Sequence, residues 1–375
     1  MSNIYFFQAI QTFVVALIGI FIPLYLYSKG IGLFYIVLFA CGIAFFKLIL
    51  LPLSTIILNK VGFKWSIFLS LPIYVMYLYS LSFVELSLYH LFFSSFLGGL
   101  YVTVFWPAMH AEVAHRSLGH SNEIGNLQII ITLMSALAPL IGGLFLQFTS
   151  YELVLLFSLG LLAGGSIPLL MSKDLTLKKL HYSYSDMWKQ FCKTKLKNSL
   201  PYIGEGIETF LVLFIAPVLF FIWLKGNFAT VGAILSVFSY ISIVFVVFFK
   251  SFIKNKSKQS SVVVVARVSG LQWLIRTIAY IIGGVVVLLI EGAYKMINQA
   301  FYITYFSLFY NKKDPKVMFN KIMQRELFIS SSRLVVGLIA LALVYLLGES
   351  VNLLIALLVI GLFSSTLKGF IALID

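Results

Sequence analysis

Two glutamates lie three positions apart in a long apolar stretch of the chain. At this spacing Glu205 and Glu208 share one face of a helix, roughly 10 Å from its start at about 1.5 Å per residue. Burial favours the protonated form of a carboxyl group, and two carboxylates one turn apart repel each other. The spacing therefore predicts a site that takes up a proton or binds a cation. An interfacial position, or pairing with a lysine of the preceding polar segment, is the alternative.

Further polar side chains interrupt other apolar stretches at helical spacing. Gln8 and Gln11 repeat the three-residue spacing, and Glu291 precedes Lys295 by one turn, in the favourable order for an ion pair. Such side chains either hydrogen-bond a solute or hold helices together. The candidates for contacting a solute are Gln8, Gln11, Glu291, Lys295, Asn298 and Gln299.

A His-x-Glu sequence is the remaining candidate for proton chemistry. His110 and Glu112 could relay protons, but side chains two positions apart on a helix point to different faces, so a gate or interface contact is the other interpretation. No metal-binding spacing and no P-loop occurs in the sequence, and Cys41 and Cys192 are too few for a metal cage or a disulfide framework. We therefore expect no metal and no cofactor.

The composition shows which elements must position these residues. Of the 375 residues, 61% are hydrophobic and only 11% are charged, whereas soluble proteins carry about 25% charged residues. This excludes an ordinary soluble enzyme and a disordered chain. The net charge of +14 comes from short islands of Lys and Arg between apolar runs, which excludes the continuous basic face of a nucleic-acid-binding protein. We predict an all-α membrane protein.

Twelve apolar stretches approach or exceed the roughly 20 residues that a membrane-spanning helix needs. The break between the ninth and the tenth is expected at Gly283-Gly284 or just before it. The first stretch lacks the features of a cleaved signal peptide and is expected to remain as a helix. The predicted spans are residues 3–27, 31–57, 66–83, 88–113, 124–148, 152–172, 199–224, 227–249, 260–277, 281–310, 322–346 and 350–372.

The basic residues of the predicted loops fall almost entirely on the side that would hold both termini. Only Lys29 and Lys225 lie in loops on the opposite side. The positive-inside rule then places both termini and the lysine-rich segment 173–198 in the cytoplasm, where lysines can contact anionic lipid. We expect a monomer in the cell (inner) membrane, with lipids as partners and no nucleic acid.

The chain also contains an internal repeat. Two matches carry this repeat, and they occur in the same order and at nearly the same offset along the chain. The first lies near the start of each half, and the second aligns Gly99 and Tyr101 with Gly292 and Tyr294. Parallel repeats of six helices imply a site between two halves. The predicted organisation is an N-terminal half 1–172, a linker 173–198 and a C-terminal half 199–375. In the first match, Tyr5, Gln8, Ile10, Gln11, Thr12 and Phe13 recur as Tyr202, Glu205, Ile207, Glu208, Thr209 and Phe210.

In this architecture and in two motifs the chain resembles the major facilitator superfamily, the transporters built from two six-helix halves. After the second span, Gly62 and Lys64 match the glycine and the last basic residue of the superfamily's G-x-L-x-D-R-x-G-R-K motif, and Asn59 and Lys60 occupy the positions of its Asp and Arg. The resemblance implies a gating or structural role for these four residues.

The fifth span carries the second motif. Pro139, Gly142 and Gly143 are similar to the G-P-x-x-G-G motif of the superfamily's antiporters, which favours proton-coupled export of a small organic solute by alternating access. The resemblance also implies that Arg333, in the eleventh span, approaches the loop after the second span and holds a closed gate. Uptake and facilitated diffusion are the alternatives within transport. Outside it, the alternative is a membrane-embedded protein that flips or modifies lipids.

Overall fold

The chain is described by a computed structural model, which places residues 2–117, 121–172, 183–253, 258–310 and 315–370. Within these ranges the chain is helical, without a β-strand. Nine helical segments are long and apolar enough to cross a membrane, and many large apolar side chains, including Tyr89, Phe248 and Leu346, point outward. An apolar exterior around a helical bundle is what lipid requires, because every backbone polar group is then satisfied inside its own helix.

The helices described in the first half of the bundle fit six spans. Helix α3 contains two of them, because Gly62 interrupts it with φ 80° and ψ 176°, a left-handed conformation that glycine adopts without steric cost. A short 3₁₀ turn, Gly19–Phe21, separates α1 from α2 within the first span. The helices are α1 (Ser2–Ile18), α2 (Ile22–Ser28), α3 (Leu33–Ser80), α4 (Leu88–Ser117), α5 (Ser121–Phe148) and α6 (Tyr151–Met171).

The second half follows the short helix α7 (Tyr184–Lys193). The order of helices fits twelve spans, since α8 and α9 form one span around a π-helical turn, Leu211–Ile215. The predicted break at Gly283-Gly284 is confirmed, with φ 75° and 62° at the two glycines. The helices are α8 (Leu196–Phe210), α9 (Ala216–Trp223), α10 (Phe228–Ile253), α11 (Lys258–Ile282), α12 (Val285–Phe309), α13 (Pro315–Leu347) and α14 (Val351–Lys368).

The two halves repeat each other in their contacts. Helix α1 packs on α5 and α6, and its counterpart α8 packs on α13 and α14. Both of these first spans are broken shortly before or at a proline, Pro23 or Pro217. The Gln11 amide nitrogen donates to the Tyr101 hydroxyl at 3.2 Å; at the matching positions, the Tyr294 hydroxyl donates to Glu208 at 2.8 Å. The sequence repeat is therefore a repeat of helix contacts.

The halves meet mainly where α5 crosses α10 and where α3 crosses α13. A Cβ atom at Gly143 would overlap the Phe228 carbonyl oxygen, and one at Gly232 would overlap the Pro139 carbonyl oxygen. Only glycine allows two helices to approach so closely. The Pro139, Gly142 and Gly143 motif thus sits at a close contact between the halves, and Gly142 itself packs on the Leu17 carbonyl of α1.

Candidate functional site

A cavity of about 260 Å³ lies between the halves. We call it the central cavity; α1, α4, α5 and α12 line it. Three of the predicted amide positions, Gln8, Gln11 and Gln299, are among its lining residues, together with Trp106 and His110. The structure therefore brings together side chains that the sequence separates by almost three hundred positions.

Side-chain amides in and next to the central cavity form only some of the hydrogen bonds that they could form. The Gln299 amide nitrogen donates to the Thr132 hydroxyl, which links α12 to α5 across the halves. The Gln8 carbonyl oxygen is buried without a hydrogen-bond partner, and so is the Asn298 carbonyl oxygen, one residue from Gln299. Leaving a buried acceptor unpaired costs about 1–3 kcal/mol, so a guest with a hydrogen-bond donor would be favoured here.

A network of buried charges lies beside this cavity and joins the halves. Arg325 binds both oxygens of Glu205 and also donates to Glu326 at 2.8 Å. The second Glu326 oxygen accepts from Lys47 of the N-terminal half at 2.5 Å. The Tyr305 hydroxyl completes the shell of Glu205 at 3.0 Å. The four charged side chains are all buried, so the interfacial interpretation of Glu205 is wrong.

His110 connects the network to the wall of the central cavity. Its Nε2 lies 3.1 Å from Nη1 of Arg325, and its Nδ1 lies 2.5 Å from the Tyr310 hydroxyl. A guanidinium has no acceptor, so Nε2 must accept, and the network assigns the single imidazole proton to Nδ1. His110 is therefore neutral here, and its protonation would break the contact with Arg325. Glu112, two positions on, is fully buried as well.

Glu208 has its own shell. Its carboxylate pairs with Lys368 of α14 and accepts from the Tyr294 hydroxyl at 2.8 Å and the Trp273 indole at 3.4 Å. The sequence predicted that Glu205 and Glu208 repel each other on one face. In the structure each carboxylate has a separate cation, on α13 and α14 respectively, so that premise is wrong. Neither partner belongs to the linker.

The predicted pair of Glu291 with Lys295 does not form. Glu291 instead makes a two-pronged pair with Arg276 of α11, at 2.8 Å to Nε and 3.0 Å to Nη2. A guanidinium fork matches both carboxylate oxygens, which a lysine one turn away cannot do. Lys295 has no carboxylate within 4 Å among the described residues, and it lines a second cavity of about 80 Å³ with Arg276 and Glu291.

The residues of the loop motif lie at the Gly62 bend and at the end of α6. Lys64 donates to the carbonyl oxygens of Leu170 and Ser172, at 2.7 and 2.8 Å, and so caps the end of α6. Asn59 and Lys60 are exposed beside the Gly62 bend. We call this end of the bundle, where Gly62 and the end of α6 lie, the linker end.

Arg333 departs from its expected position. It lies in the middle of α13, where its Nε donates to the Thr209 hydroxyl of α8 at 3.0 Å, within the C-terminal half. The aromatic contact near Gly62 is made by Phe63 and Phe319 instead, with ring centroids 6.3 Å apart. The expectation that Arg333 approaches the loop after the second span is therefore wrong.

Several residues of the site were not among the candidates predicted from the sequence. Arg325 and Glu326 were placed close to the membrane surface because the eleventh span was predicted to begin at residue 322. It begins at Pro315, which carries both side chains well inside the bundle. Lys368 and Arg276 are buried as well, at 0% and 2% exposure, and neither was among the candidate residues. The sequence feature that could have identified Arg325 and Glu326 is an Arg next to a Glu inside an otherwise apolar helix.

Compared with known proteins, this chain is similar in fold but has no match in sequence. No protein-family profile matches the chain, and no curated protein sequence matches it. Solved structures match over almost its whole length. The human organic anion transporter MFSD10 (TETRAN) has a TM-score of 0.72 at 13% identity, with 98% of each chain covered.

Two further structures are similar to the same extent. The nucleoside transporter NupG has a TM-score of 0.68 at 13% identity, over 99% of this chain and 97% of its own. A bacterial homologue of the iron transporter ferroportin, in its inward-facing state, has a TM-score of 0.70 at 13% identity over the same shares. At this level of identity the likeness shows a shared arrangement of two six-helix halves.

Proposed function

We propose that this chain, which has the fold of the major facilitator superfamily, is a secondary transporter that moves a small organic solute by alternating access. The observation that carries the proposal is the central cavity between two pseudo-symmetric halves, with contacts between the halves on both sides of it. A carrier of this type opens its cavity to one side of the membrane at a time, by rocking one half against the other. Catalysis on a lipid would instead need reactive groups clustered near one membrane face.

On the linker-end side of the central cavity, polar and aromatic contacts join the halves. Among the described residues these include the Lys47 to Glu326 ion pair, the His110 to Tyr310 hydrogen bond and the stacked rings of Phe63 and Phe319. Their loss would open the central cavity towards the side that, by the positive-inside rule, is the cytoplasm.

A different set closes the opposite end. Glu349, in the loop before α14, accepts from the Tyr27 hydroxyl at 3.1 Å and from the Leu33 backbone at 3.4 Å. The rings of Phe21 and Phe228 also meet there, with centroids 6.2 Å apart. The two sets lie at opposite ends of the bundle, so breaking one while keeping the other gives the two open states that alternating access needs.

Proton coupling is proposed at the buried carboxylates. Protonation of Glu205 would remove the charge that holds Arg325, and Arg325 also contacts His110 and Glu326. Glu326 in turn binds Lys47 of the other half. One proton can thus weaken a contact between the halves, which is the property that coupling requires. Glu208 and Lys368 form a further buried ion pair, which lies within the C-terminal half.

The similarity of the α5 motif to the antiporter motif supports export as the direction of transport. The distribution of Lys and Arg among the predicted loops supports an orientation in the cell membrane with both termini cytoplasmic. The proteins of similar fold are named for nucleosides, organic anions and iron. These cargoes share no chemistry, so the fold leaves the solute to be argued from the cavity itself.

The test is transport by the purified full chain in proteoliposomes. A panel of solutes is first ranked by the shift in melting temperature that each causes, because a ligand of the folded state stabilises it by mass action. The best binders should then accumulate or be released under a pH gradient, chemically unchanged. Glu205→Gln should abolish this movement, whereas Glu152→Gln, at an exposed carboxylate, should not. A bound solute that never crosses the bilayer, or that emerges modified, would refute the proposal.

A further inference from the structure

Among the described residues, several ion pairs join charges inside the bundle. They include the pairs of Lys47 with Glu326, Arg325 with Glu205, Lys368 with Glu208 and Arg276 with Glu291. Within the described part of the chain, the ammonium group of Lys295 has neither an ion-pair nor a hydrogen-bond partner. Arg333 also lacks an ion pair, but its Nε is bonded to Thr209.

Lys295 faces the second cavity, which we call the Lys295 cavity. Arg276 lines it as well and is almost fully buried. Two nitrogens of Arg276 are used by Glu291, whereas its Nη1 is buried without a hydrogen-bond partner. The rings of Trp273 and Tyr294 hold the guanidinium in place, at 4.3 and 4.1 Å from its carbon. Two donors from different helices are thus left over at one cavity.

The charges of this cavity do not cancel. Arg276 and Glu291 neutralise each other, and Lys295 adds one positive charge. Lys295 is half-buried, and a charge that is partly withdrawn from water without a partner is unfavourable, so a guest with one negative charge is favoured over a neutral or cationic one. The rest of the wall is apolar and includes Pro217, Phe220 and Phe238, which fits an apolar body attached to the charged group.

The Lys295 cavity adjoins the central cavity along one helix face. Lys295 and Gln299 are four positions apart on α12, and side chains at this spacing lie next to each other. Gln299 lines the central cavity, as do Tyr302 and Phe306 further along the same helix. Because the two side chains lie one helical turn apart on α12, a solute held at Lys295 by its charged group would extend towards Gln299 with its other end.

We propose that Lys295, assisted by Nη1 of Arg276, binds the anionic group of the solute, and that this protein carries a small organic monoanion with an apolar body. Ammonium and guanidinium donors bind carboxylates through charge-assisted hydrogen bonds, which are stronger than neutral ones. The inference rests on the proposed transport function for its biological meaning, but the binding site can be tested without transport.

Binding to the purified full chain is measured by calorimetry with three probes of one shape, namely benzoate, benzamide and benzylammonium. Benzoate should bind at least about tenfold more tightly than the other two, a difference of roughly 1.4 kcal/mol. Lys295→Met should remove this preference and Lys295→Arg should retain it. Lys189→Met, on the exposed face of α7, is the matched control and should change nothing.

Stability supplies a second readout. Because Lys295 has no partner among the described residues, Lys295→Met should raise the melting temperature of the ligand-free protein, and benzoate should raise that of the wild type but not that of Lys295→Met. Failure of benzoate to bind, equal affinity for benzamide, unchanged benzoate binding in Lys295→Met, or a lower melting temperature of this variant would each overturn the anion site.

The two proposals fail in different ways. Benzoate binding that depends on Lys295 but gives no flux in proteoliposomes refutes transport and leaves the anion site standing. Flux of a neutral or cationic solute that is unaffected by Lys295→Met refutes the anion site and leaves transport standing.

Discussion

Removing Lys368 should destabilise the protein strongly, and removing Glu208 together with it should restore most of the loss. Lys368 and Glu208 are 0% and 1% exposed, so Lys368→Met leaves a carboxylate buried without its counterion. Breaking a buried pair in this way costs about 3–5 kcal/mol. The hydrogen bonds that Glu208 keeps from Tyr294 and Trp273 offset part of this cost, which places the expected loss near the lower bound.

The double change removes the charge instead of stranding it. The Gln oxygen in Glu208→Gln can still accept from Tyr294 and Trp273, and Met fills the space of the lysine stem. The contacts of the Lys368 ammonium with the Phe301 and Tyr302 rings, at 4.0 and 5.7 Å, are lost without replacement, at about 2 kcal/mol for a desolvated cation. The double variant, however, no longer carries the desolvation cost of two buried charges, which offsets this loss. The double variant should therefore lie within about 1 kcal/mol of the wild type, which gives a coupling energy of roughly 2 kcal/mol or more.

Reversible unfolding in mixed micelles, followed by tryptophan fluorescence, measures this coupling. The pair Glu152→Gln with Lys189→Met, at two exposed positions on α6 and α7, is the control cycle and should be additive. A coupling energy below about 0.5 kcal/mol for Glu208 and Lys368, or a double variant as unstable as Lys368→Met alone, would refute the reasoning.

Three further predictions concern movement and orientation. Glu205→Gln should abolish accumulation driven by a pH gradient but preserve counterflow of solute, and accumulation by the variant in proteoliposomes would disprove the coupling role. Gly143→Ala should cost about 1–3 kcal/mol through overpacking and slow transport, whereas Gly164→Ala, where nothing lies within 4 Å of the added atom, should do neither; equal melting temperatures would contradict the close contact. A cysteine placed at Ser185 should react with an impermeant reagent only from the cytoplasm, and one placed at Ser350 only from outside. Labelling of both positions from the same side would contradict the predicted topology.

Local signals in the sequence were sufficient for the helices and their symmetry. Gly283-Gly284 marked the break between two spans because only glycine adopts two successive left-handed conformations readily. The matches of Gln11 with Glu208 and of Tyr101 with Tyr294 appeared in the structure as equivalent hydrogen bonds. Both signals act over short range or by direct comparison of two segments, so no knowledge of helix packing was needed.

The partners of the buried charges could not be predicted in the same way. Lys47 and Glu326 are 279 positions apart, and Glu208 and Lys368 are 160 positions apart. Which helix faces meet depends on the packing of the whole bundle. The rule that residues four positions apart on a helix form ion pairs gave the wrong partner even at short range, because Glu291 pairs with Arg276 and not with the nearby Lys295. Pairing inside a membrane follows geometry and desolvation, and sequence distance is a poor guide to it.

The separation of Glu208 from Lys368 has a consequence for how the protein is made. Helix α8 leaves the ribosome with two carboxylates whose cations lie 120 and 160 positions further along the chain. At about 5–20 residues per second, Glu208 waits roughly 8–30 s for its partner. A charge at the centre of a lone inserted helix costs about 2.5–3.5 kcal/mol, so α8 is held in place during this time by its neighbours and the insertion machinery. We therefore expect chains truncated before Lys368 to be less stable in the membrane than the full chain, because Glu208 then lacks its counterion.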